Sequence, residues 1–175
     1  MKAQFYILGL LLRYGPQHGY MLKQTVEDQI SDFTQIKLPT IYYHLDKLND
    51  KGFVSAEFQK DGNRPEKTVY SITEKGEKYF YTLINKIQHE ELKLELPLDG
   101  LIFFQERVDL PELKKSLKKT IDTLEIKLAK VCAHHKNVME FIPDQGKVSA
   151  DIIFKHHICH LQAELDWLKE AESRL

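Results

Sequence analysis

The hydrophobic residues of this chain recur every three or four positions, except in one stretch where they alternate. The helical spacing predicts three α-helices in the first fifty residues, at about 3–14, 18–29 and 39–50. The first ends at the helix breaker Gly15-Pro16. Pro39 suits the first turn of the third helix, because the N–H that it lacks would have no partner there. Their buried faces are expected to hold Leu22, Val26, Ile30, Ile41, Leu45 and Leu48.

The alternating stretch follows at once and predicts a β-hairpin. Its strands are expected at about residues 53–58 and 67–72, and the turn-forming residues 61–65 lie between them. Thr73 then suits the N-cap of a fourth helix, since its hydroxyl can accept a hydrogen bond from a free backbone N–H. Tyr79, Leu83 and Ile87 follow at four-residue spacing.

Beyond Pro97 the chain is predicted to be almost wholly helical. A short apolar helix at about residues 98–106 precedes two long helices, which a turn at residues 141–146 separates. Their apolar stripes are Leu113, Leu117, Ile121, Leu124, Leu128 and Val131, then Phe154, Ile158, Leu161, Leu165 and Leu168. Such sustained spacing predicts a coiled-coil-like hairpin. Packing within one chain could account for the stripes, whereas a dimer would also account for the length of the helices.

Composition narrows the class of protein. The chain has 175 residues, 42% of them hydrophobic, and no run approaches the ~18 apolar residues of a membrane helix. Its apolar start resembles a signal peptide, but Arg13 follows directly and no small-residue cleavage site precedes Gly15-Pro16. Two cysteines are too few for a disulfide framework and fit a reducing compartment. We therefore expect a cytoplasmic protein.

Three helices followed by a hairpin is the order of a winged helix-turn-helix domain. In that fold the third helix enters the DNA major groove and the hairpin, or wing, reaches the phosphates. The expected fold class is thus mostly α with a small β-hairpin: a winged helix-turn-helix domain at residues 1–90 and a helical dimerisation domain at 97–175. The expected DNA contacts are Lys37, Thr40, Tyr42, Tyr43 and Lys47 around the third helix, and Lys60, Arg64 and Lys67 in the hairpin.

Charge alone leaves two functions open. Residues 33–45 contain no acid, which favours a DNA-facing surface. Residues 1–90 nevertheless hold 12 basic and 11 acidic side chains, and the whole chain has a net charge of -1. These charges could equally be the solvated surface of a protein-interaction module, so the electrostatic footprint of a DNA-binding domain is weak.

Four linked motifs resemble the PadR family of transcriptional regulators. They begin at Ile7, Gly15, Pro39 and Arg64 and read Ile-Leu-Gly-Leu-Leu, Gly-Pro-Gln-His-Gly-Tyr, Pro-Thr-Ile-Tyr-Tyr-His-Leu-Asp-Lys-Leu and Arg-Pro-Glu-Lys-Thr-Val-Tyr-Ser-Ile-Thr-Glu-Lys-Gly. The resemblance covers about residues 3–80. It implies a homodimeric, usually repressing regulator that binds a palindromic operator. The C-terminal half is similar to the longer PadR subtype, with a helical tail like that of virulence-gene activators of the AphA type.

One motif departs from the family pattern. Family members often carry Gly-Thr-Leu-Tyr at the start of the recognition helix, and this chain has Pro39-Thr40-Ile41-Tyr42. Thr40 and Tyr42 carry over, whereas Pro39 constrains a backbone angle that glycine leaves free. Of the other motif residues, Gly19 is expected to let the second helix approach a neighbour closely, and Tyr20 and Tyr70 are expected to pack in the core.

The long helices also hold residue types that bind metals. Cys132, His135, His156, Cys159 and His160 occur at three- and four-residue spacings, which place pairs on one helix face. A metal-responsive regulator is therefore an alternative to simple DNA binding. The competing interpretation is that these are small and polar residues at a helix–helix seam, and we expect no metal and no cofactor.

A small-molecule effector is plausible from the resemblance, because PadR relatives sense phenolic or drug-like compounds. The aromatic residues that could line such a pocket are Phe5, Tyr6, Phe103, Phe104 and Trp167, although each is favoured as dimer core. The sequence contains no phosphate-binding Gly-rich loop, nucleophile elbow or metalloprotease motif, so we expect no enzyme.

Overall fold

The computed structural model describes residues 2–31, 34–59, 67–91 and 96–175, the side chain of Pro97 excepted. The chain divides into two compact units, Met1–Lys93 and Leu94–Leu175. The N-terminal unit consists of α1 (Lys2–Tyr14), β1 (Gln17–His18), α2 (Gly19–Gln29), α3 (Leu38–Asp50), β2 (Val54–Gln59), β3 (Lys67–Ile72) and α4 (Glu74–Gln88). The predicted order of helices and hairpin strands is confirmed.

Side-chain caps begin two of these helices. The Thr73 hydroxyl accepts a hydrogen bond of 3.0 Å from the N–H of Gly76 at the start of α4, as predicted. His18 caps α2 through its Nδ1 atom, which accepts from the N–H of Met21 at 3.2 Å. Each cap satisfies one of the backbone donors that the first turn of a helix leaves unpaired.

A small antiparallel sheet extends the predicted hairpin by one strand. Its order is β1-β3-β2, so β3 lies in the middle. Tyr70 on β3 faces Gln17 on one side and Ala56 on the other. The expected fold class, mostly α with a small β element, is confirmed, and the two-residue strand β1 is an addition that hydrophobic alternation cannot reveal.

The core of the N-terminal unit unites all four of its helices with the sheet. Its buried apolar side chains include Ile7, Leu8, Leu11, Leu22, Val26, Ile41, Leu45, Leu48, Val54, Tyr70 and Leu83. Burying a side chain of this size contributes roughly 1.5–3 kcal/mol. This core holds α3 in place, because the apolar face of α3 is buried in it.

The C-terminal unit is a helical hairpin with a short helix before it. It contains α5 (Pro97–Phe103), a 3₁₀ turn (Gln105–Arg107), α6 (Leu110–Phe141) and α7 (Asp144–Arg174). The helices α6 and α7 pack around Leu113, Leu117, Ile121, Leu165 and Leu168, all of them in the predicted stripes. An ion pair of 2.6 Å between Lys169 and Glu125 also joins them.

The turn between the long helices is shorter than predicted. Helix α7 begins at Asp144, so Gly146 lies within it and not in the turn. A Cβ atom at Gly146 would come within 2.8 Å of the end of the Ile142 side chain. Among the residues described above, no helix is both long and apolar enough to cross a membrane.

Candidate nucleic-acid interface

Helix α3 separates an apolar face from a polar one. Its buried side consists of Ile41, Leu45 and Leu48. Its exposed side carries Thr40, Tyr43 and Lys47, the three residues that the spacing places together. The helix starts at Leu38 without a side-chain cap, and Lys37 is its exposed N-cap residue. An exposed face with a hydroxyl, a phenol and an ammonium can donate hydrogen bonds to base edges and phosphates.

Tyr43 and Lys47 act as a pair on this face. The Lys47 ammonium donates a hydrogen bond to the Tyr43 hydroxyl and lies 4.3 Å from the centre of the Tyr43 ring. Tyr43 remains 54% exposed. The contact holds a positive charge and a phenol at a defined position on the surface, although neither is buried.

Tyr42 is positioned by a glycine in the neighbouring helix. A Cβ atom at Gly19 would lie 2.6 Å from Cε1 of Tyr42, which is closer than side chains approach. The absence of a side chain at Gly19 therefore lets the Tyr42 ring lie against the start of α2, as the sequence predicts. Part of the Tyr42 ring stays exposed beside that helix end.

Tyr20 is exposed, and its predicted place in the core is wrong. Its side chain is 59% accessible, and its ring stacks at 6.5 Å from that of His18. The helical periodicity of α2 predicts this exposure. Tyr20 lies two residues, or about 200°, from Leu22 on the buried stripe, which is the opposite face of α2. Tyr20 thus adds an exposed phenol to the first turn of α2.

Tyr70 behaves as predicted and packs beneath the hairpin. It is buried in the centre of the sheet. Burial raises the pKa of its hydroxyl, and the nearby charge of Asp46 raises it further. Tyr70 is thus a supporting residue for the hairpin and for α3, not a surface contact.

The wing is described in part. Lys67 is exposed at the start of β3, opposite Gln59 on β2. Lys60 and Arg64, the other predicted wing contacts, lie outside the described residues. Contact of any of these side chains with DNA stays a prediction.

His44 gives α3 a titratable group on the edge of its buried face. Its Nδ1 atom is buried and has no hydrogen-bond partner among the residues that the structure describes. Because burial disfavours the charged ring, the pKa of His44 is lowered from the ordinary value of 6.5. The folded protein therefore prefers neutral His44 more strongly than the unfolded chain does.

We predict that His44 makes the N-terminal unit sensitive to acid. A lowered pKa contributes stability that is complete above the ordinary value and is lost as the pH falls below it. The free energy of unfolding of the wild type should fall between pH 7.5 and pH 5 by more than that of His44→Gln. Urea titrations at several pH values measure both. Equal losses in the two proteins would exclude His44 as the source.

The structure does not bring the five metal-ligand candidates together. No group of three or more metal-binding side chains occurs in the described part of the chain. Cys132 and Cys159 are exposed, which does not fit the expected seam position. His135 instead lies 3.1 Å from the Asp151 carboxylate and stacks on Phe154. His156 and His160 are adjacent on α7, with ring centres 4.6 Å apart.

The aromatic residues suggested for an effector pocket fall into both units. Phe5 and Tyr6 pack against the N-terminal core, and burial raises the pKa of the Tyr6 hydroxyl. Phe103 and Phe104 are exposed, whereas Trp167 packs against the C-terminal core. None of the five lines the cleft between α2 and the start of α3 or the shallow cleft beside the end of α4.

An α3 with one exposed polar face, followed by a hairpin of two paired strands and by α4, has the arrangement of a winged helix-turn-helix fold. Residues 7–82 match the model of the transcriptional regulator PadR-like family. This N-terminal part of the chain is therefore similar to a family of transcriptional regulators.

Relatives extend the likeness to the full chain. The negative transcriptional regulator PadR of Bacillus subtilis is 25% identical over 177 residues, covering 98% of this chain and 94% of that protein. Its crystal structure with operator DNA superposes with a TM-score of 0.79 at 20% identity, over 99% of each chain. Its structure with p-coumaric acid gives 0.74 at 19% identity, over 98% of this chain and 96% of that one. The Vibrio cholerae virulence activator AphA gives 0.76 at 14% identity, with the same coverages.

Proposed function

We propose that this protein is a homodimeric repressor that binds a palindromic operator through α3 and the wing. The exposed Thr40–Tyr43–Lys47 face of α3 carries the proposal, because the opposite face is fixed in the core. Thr40 and Tyr42 would meet bases or backbone, and Lys37, Lys47 and Lys67 would meet phosphates. The similar negative transcriptional regulator PadR of Bacillus subtilis, and its complex with operator DNA, support this assignment.

The two predicted domains take separate roles in this proposal. Residues 1–90 bind DNA, and residues 97–175 hold the dimer together. Large apolar side chains stay exposed along the α6–α7 hairpin, among them Phe141 at 80%, Val148 at 69% and Ile152 at 63%. Such a surface is what a self-complementary interface would cover. A two-fold dimer would place its recognition helices about one DNA turn, ~34 Å, apart, in the cytoplasm where the operator lies.

The test is fluorescence anisotropy with duplex DNA taken from upstream of the gene that encodes this protein. We expect a specific duplex to bind 10³–10⁷ times more tightly than an unrelated one, with a steep dependence on salt. Light scattering would give the mass of two chains in the free protein. Equal affinity for all duplexes, or none at low salt, would leave a winged-helix domain for protein contact as the function.

The effector in this proposal is a small phenolic acid. The support is the Bacillus subtilis relative, whose structure contains p-coumaric acid. Adding p-coumaric acid to the specific complex should raise the Kd for the operator, while benzoate, which lacks the phenol, serves as the control. Unchanged affinity at millimolar p-coumaric acid would remove this part of the proposal.

We predict that Thr40→Ala changes which operators are preferred. The Thr40 hydroxyl lies on the exposed face of α3, and a contact with a base edge discriminates between bases by about 1–3 kcal/mol. Competition binding against a set of single-base operator variants measures the ranking. The same ranking in wild type and variant would mean that Thr40 does not read a base.

We predict a different result for the wing. Lys67→Ala should weaken binding about equally for all duplexes and lower the slope of log K against log salt by roughly one, because a phosphate contact carries no sequence information. Salt titrations with specific and unrelated duplexes measure both quantities. A slope identical to that of the wild type would exclude Lys67 from the interface.

A further inference from the structure

The histidines of the α6–α7 hairpin fall into two groups with different surroundings. On α6, His134 and His135 pack against the Phe154 ring at 5.3 and 4.9 Å. His135 also lies 3.1 Å from Asp151, whose other oxygen is 2.7 Å from Lys155. His135 thus contacts α7 through Asp151 and Phe154, while Lys155 pairs with the same carboxylate from within α7.

The second group, His156 and His160, is exposed and has no such partners. Both are exposed on α7 of the single chain, one turn apart, with ring centres at 4.6 Å and planes at 81°. Within the described residues, neither ring takes part in a hydrogen bond or an ion pair, and the contacts of His156 are with the rings of His157 and His160. The nitrogens of two adjacent imidazoles are thus free to act as acceptors.

We propose that His156 and His160 form a bidentate site for a divalent transition-metal ion on the surface of α7. Imidazole nitrogen suits Zn²⁺, Ni²⁺ and Cu²⁺, and the long helix holds the two rings at neighbouring positions before the ion arrives. Water would complete the coordination, since no third His, Cys, Asp or Glu of the described residues joins the pair. The site belongs to the C-terminal unit and needs none of the α3 residues on which the proposed function depends.

Two features of the binding follow from this chemistry. Once one imidazole has bound the metal ion, the second is held close to it at a high effective concentration. Losing either ring should therefore weaken metal binding by at least about tenfold. The metal must displace protons from the rings, so affinity should fall as the pH is lowered. Cys159 lies in the same segment, but the geometry leaves its thiol outside the pair.

The experiment is calorimetric titration of the full, untagged chain with nickel chloride at pH 7.5. We expect one Ni²⁺ per chain in the wild type and a loss of at least about tenfold in both His156→Gln and His160→Gln. His89→Gln is the matched control, because His89 is an exposed helix-end histidine in the N-terminal unit. His89→Gln and Cys159→Ser should bind as the wild type does.

Three results would overturn the proposal. They are no binding at millimolar Ni²⁺, wild-type affinity in either His156→Gln or His160→Gln, and a loss in Cys159→Ser as large as in the histidine variants. Circular dichroism before the titration verifies that each variant is folded, which we expect because both histidines are exposed. Operator binding by the metal-free protein tests the proposed function separately, so failure of one leaves the other standing.

Discussion

Replacing Gly76 with alanine is expected to destabilise the N-terminal unit by about 3 kcal/mol, at the upper end of what overpacking costs. A Cβ atom at this position would lie 1.9 Å from the carbonyl oxygen of Phe53 and 2.8 Å from its carbonyl carbon. Both are backbone atoms, so no side-chain rotation relieves the clash. Either α4 or the start of the hairpin would have to move.

The clash falls at the junction where the hairpin meets α4. The N–H of Thr73 donates to the Phe53 carbonyl at 3.1 Å, and the Thr73 hydroxyl bonds the Gly52 carbonyl at 2.8 Å. The Phe53 ring also stacks on Tyr79 of α4 at 4.3 Å between centres. Separating these groups to make room for a methyl would break several of these contacts together, which is why we expect a large effect.

Urea unfolding measures the loss, and Gly100→Ala is the matched control. Gly100 also lies in a helix, α5, but a Cβ atom there would have no neighbour within 4 Å. Alanine in place of glycine within a helix is otherwise favourable by up to about 1 kcal/mol. Gly100→Ala should therefore leave stability unchanged or raise it. Equal midpoints for Gly76→Ala and the wild type would show that the junction can relax.

Lys47→Glu is expected to have the largest effect on operator binding without unfolding the protein. Lys47 is exposed on α3, so its replacement costs little packing. In the proposed complex the change removes a cation and places an acid against the phosphates. Like charges across an interface cost several kcal/mol, so the Kd should rise by roughly 30-fold or more. The salt slope should fall by about one or more.

A second charge reversal distinguishes a direct contact of Lys47 with DNA from the effect of the protein's net charge on binding. Lys86→Glu changes the net charge by the same amount, but on the last turn of α4. We expect its effect on anisotropy titrations to be small. If both reversals weaken binding to the same degree, Lys47 contributes only to the overall charge and makes no direct contact.

The relation between sequence and structure is clearest in α3. The spacing of Ile41, Leu45 and Leu48 predicts which face is buried, and this identifies the exposed face without any knowledge of the fold. The cap at Thr73 is equally local, because a hydroxyl just before a helical segment can accept a hydrogen bond from an unpaired backbone N–H of the first turn. The same periodicity places Tyr20 on the exposed face of α2, and this position outweighs the general tendency of aromatic side chains to pack in a core.

Other features depend on contacts between segments that are distant in the sequence. The strand β1 has only two residues, too few to show alternation, and exists because β3 offers a free edge. The need for glycine at position 76 comes from the Phe53 carbonyl of another element. The difference between His135 and His156 arises in the same way, because Asp151 and Phe154 of α7 reach the first and not the second.

The sequence by itself determined the helices, the hairpin, the buried face of α3 and the resemblance to the PadR family, because periodicity, caps and short motifs act over one or two turns of chain. Tertiary structure alone decided which atoms lie against Gly19, why Gly76 has no side chain, and which histidines of α6 and α7 have partners. Those outcomes depend on contacts between residues that are far apart in the sequence, and a local sequence pattern does not encode such contacts.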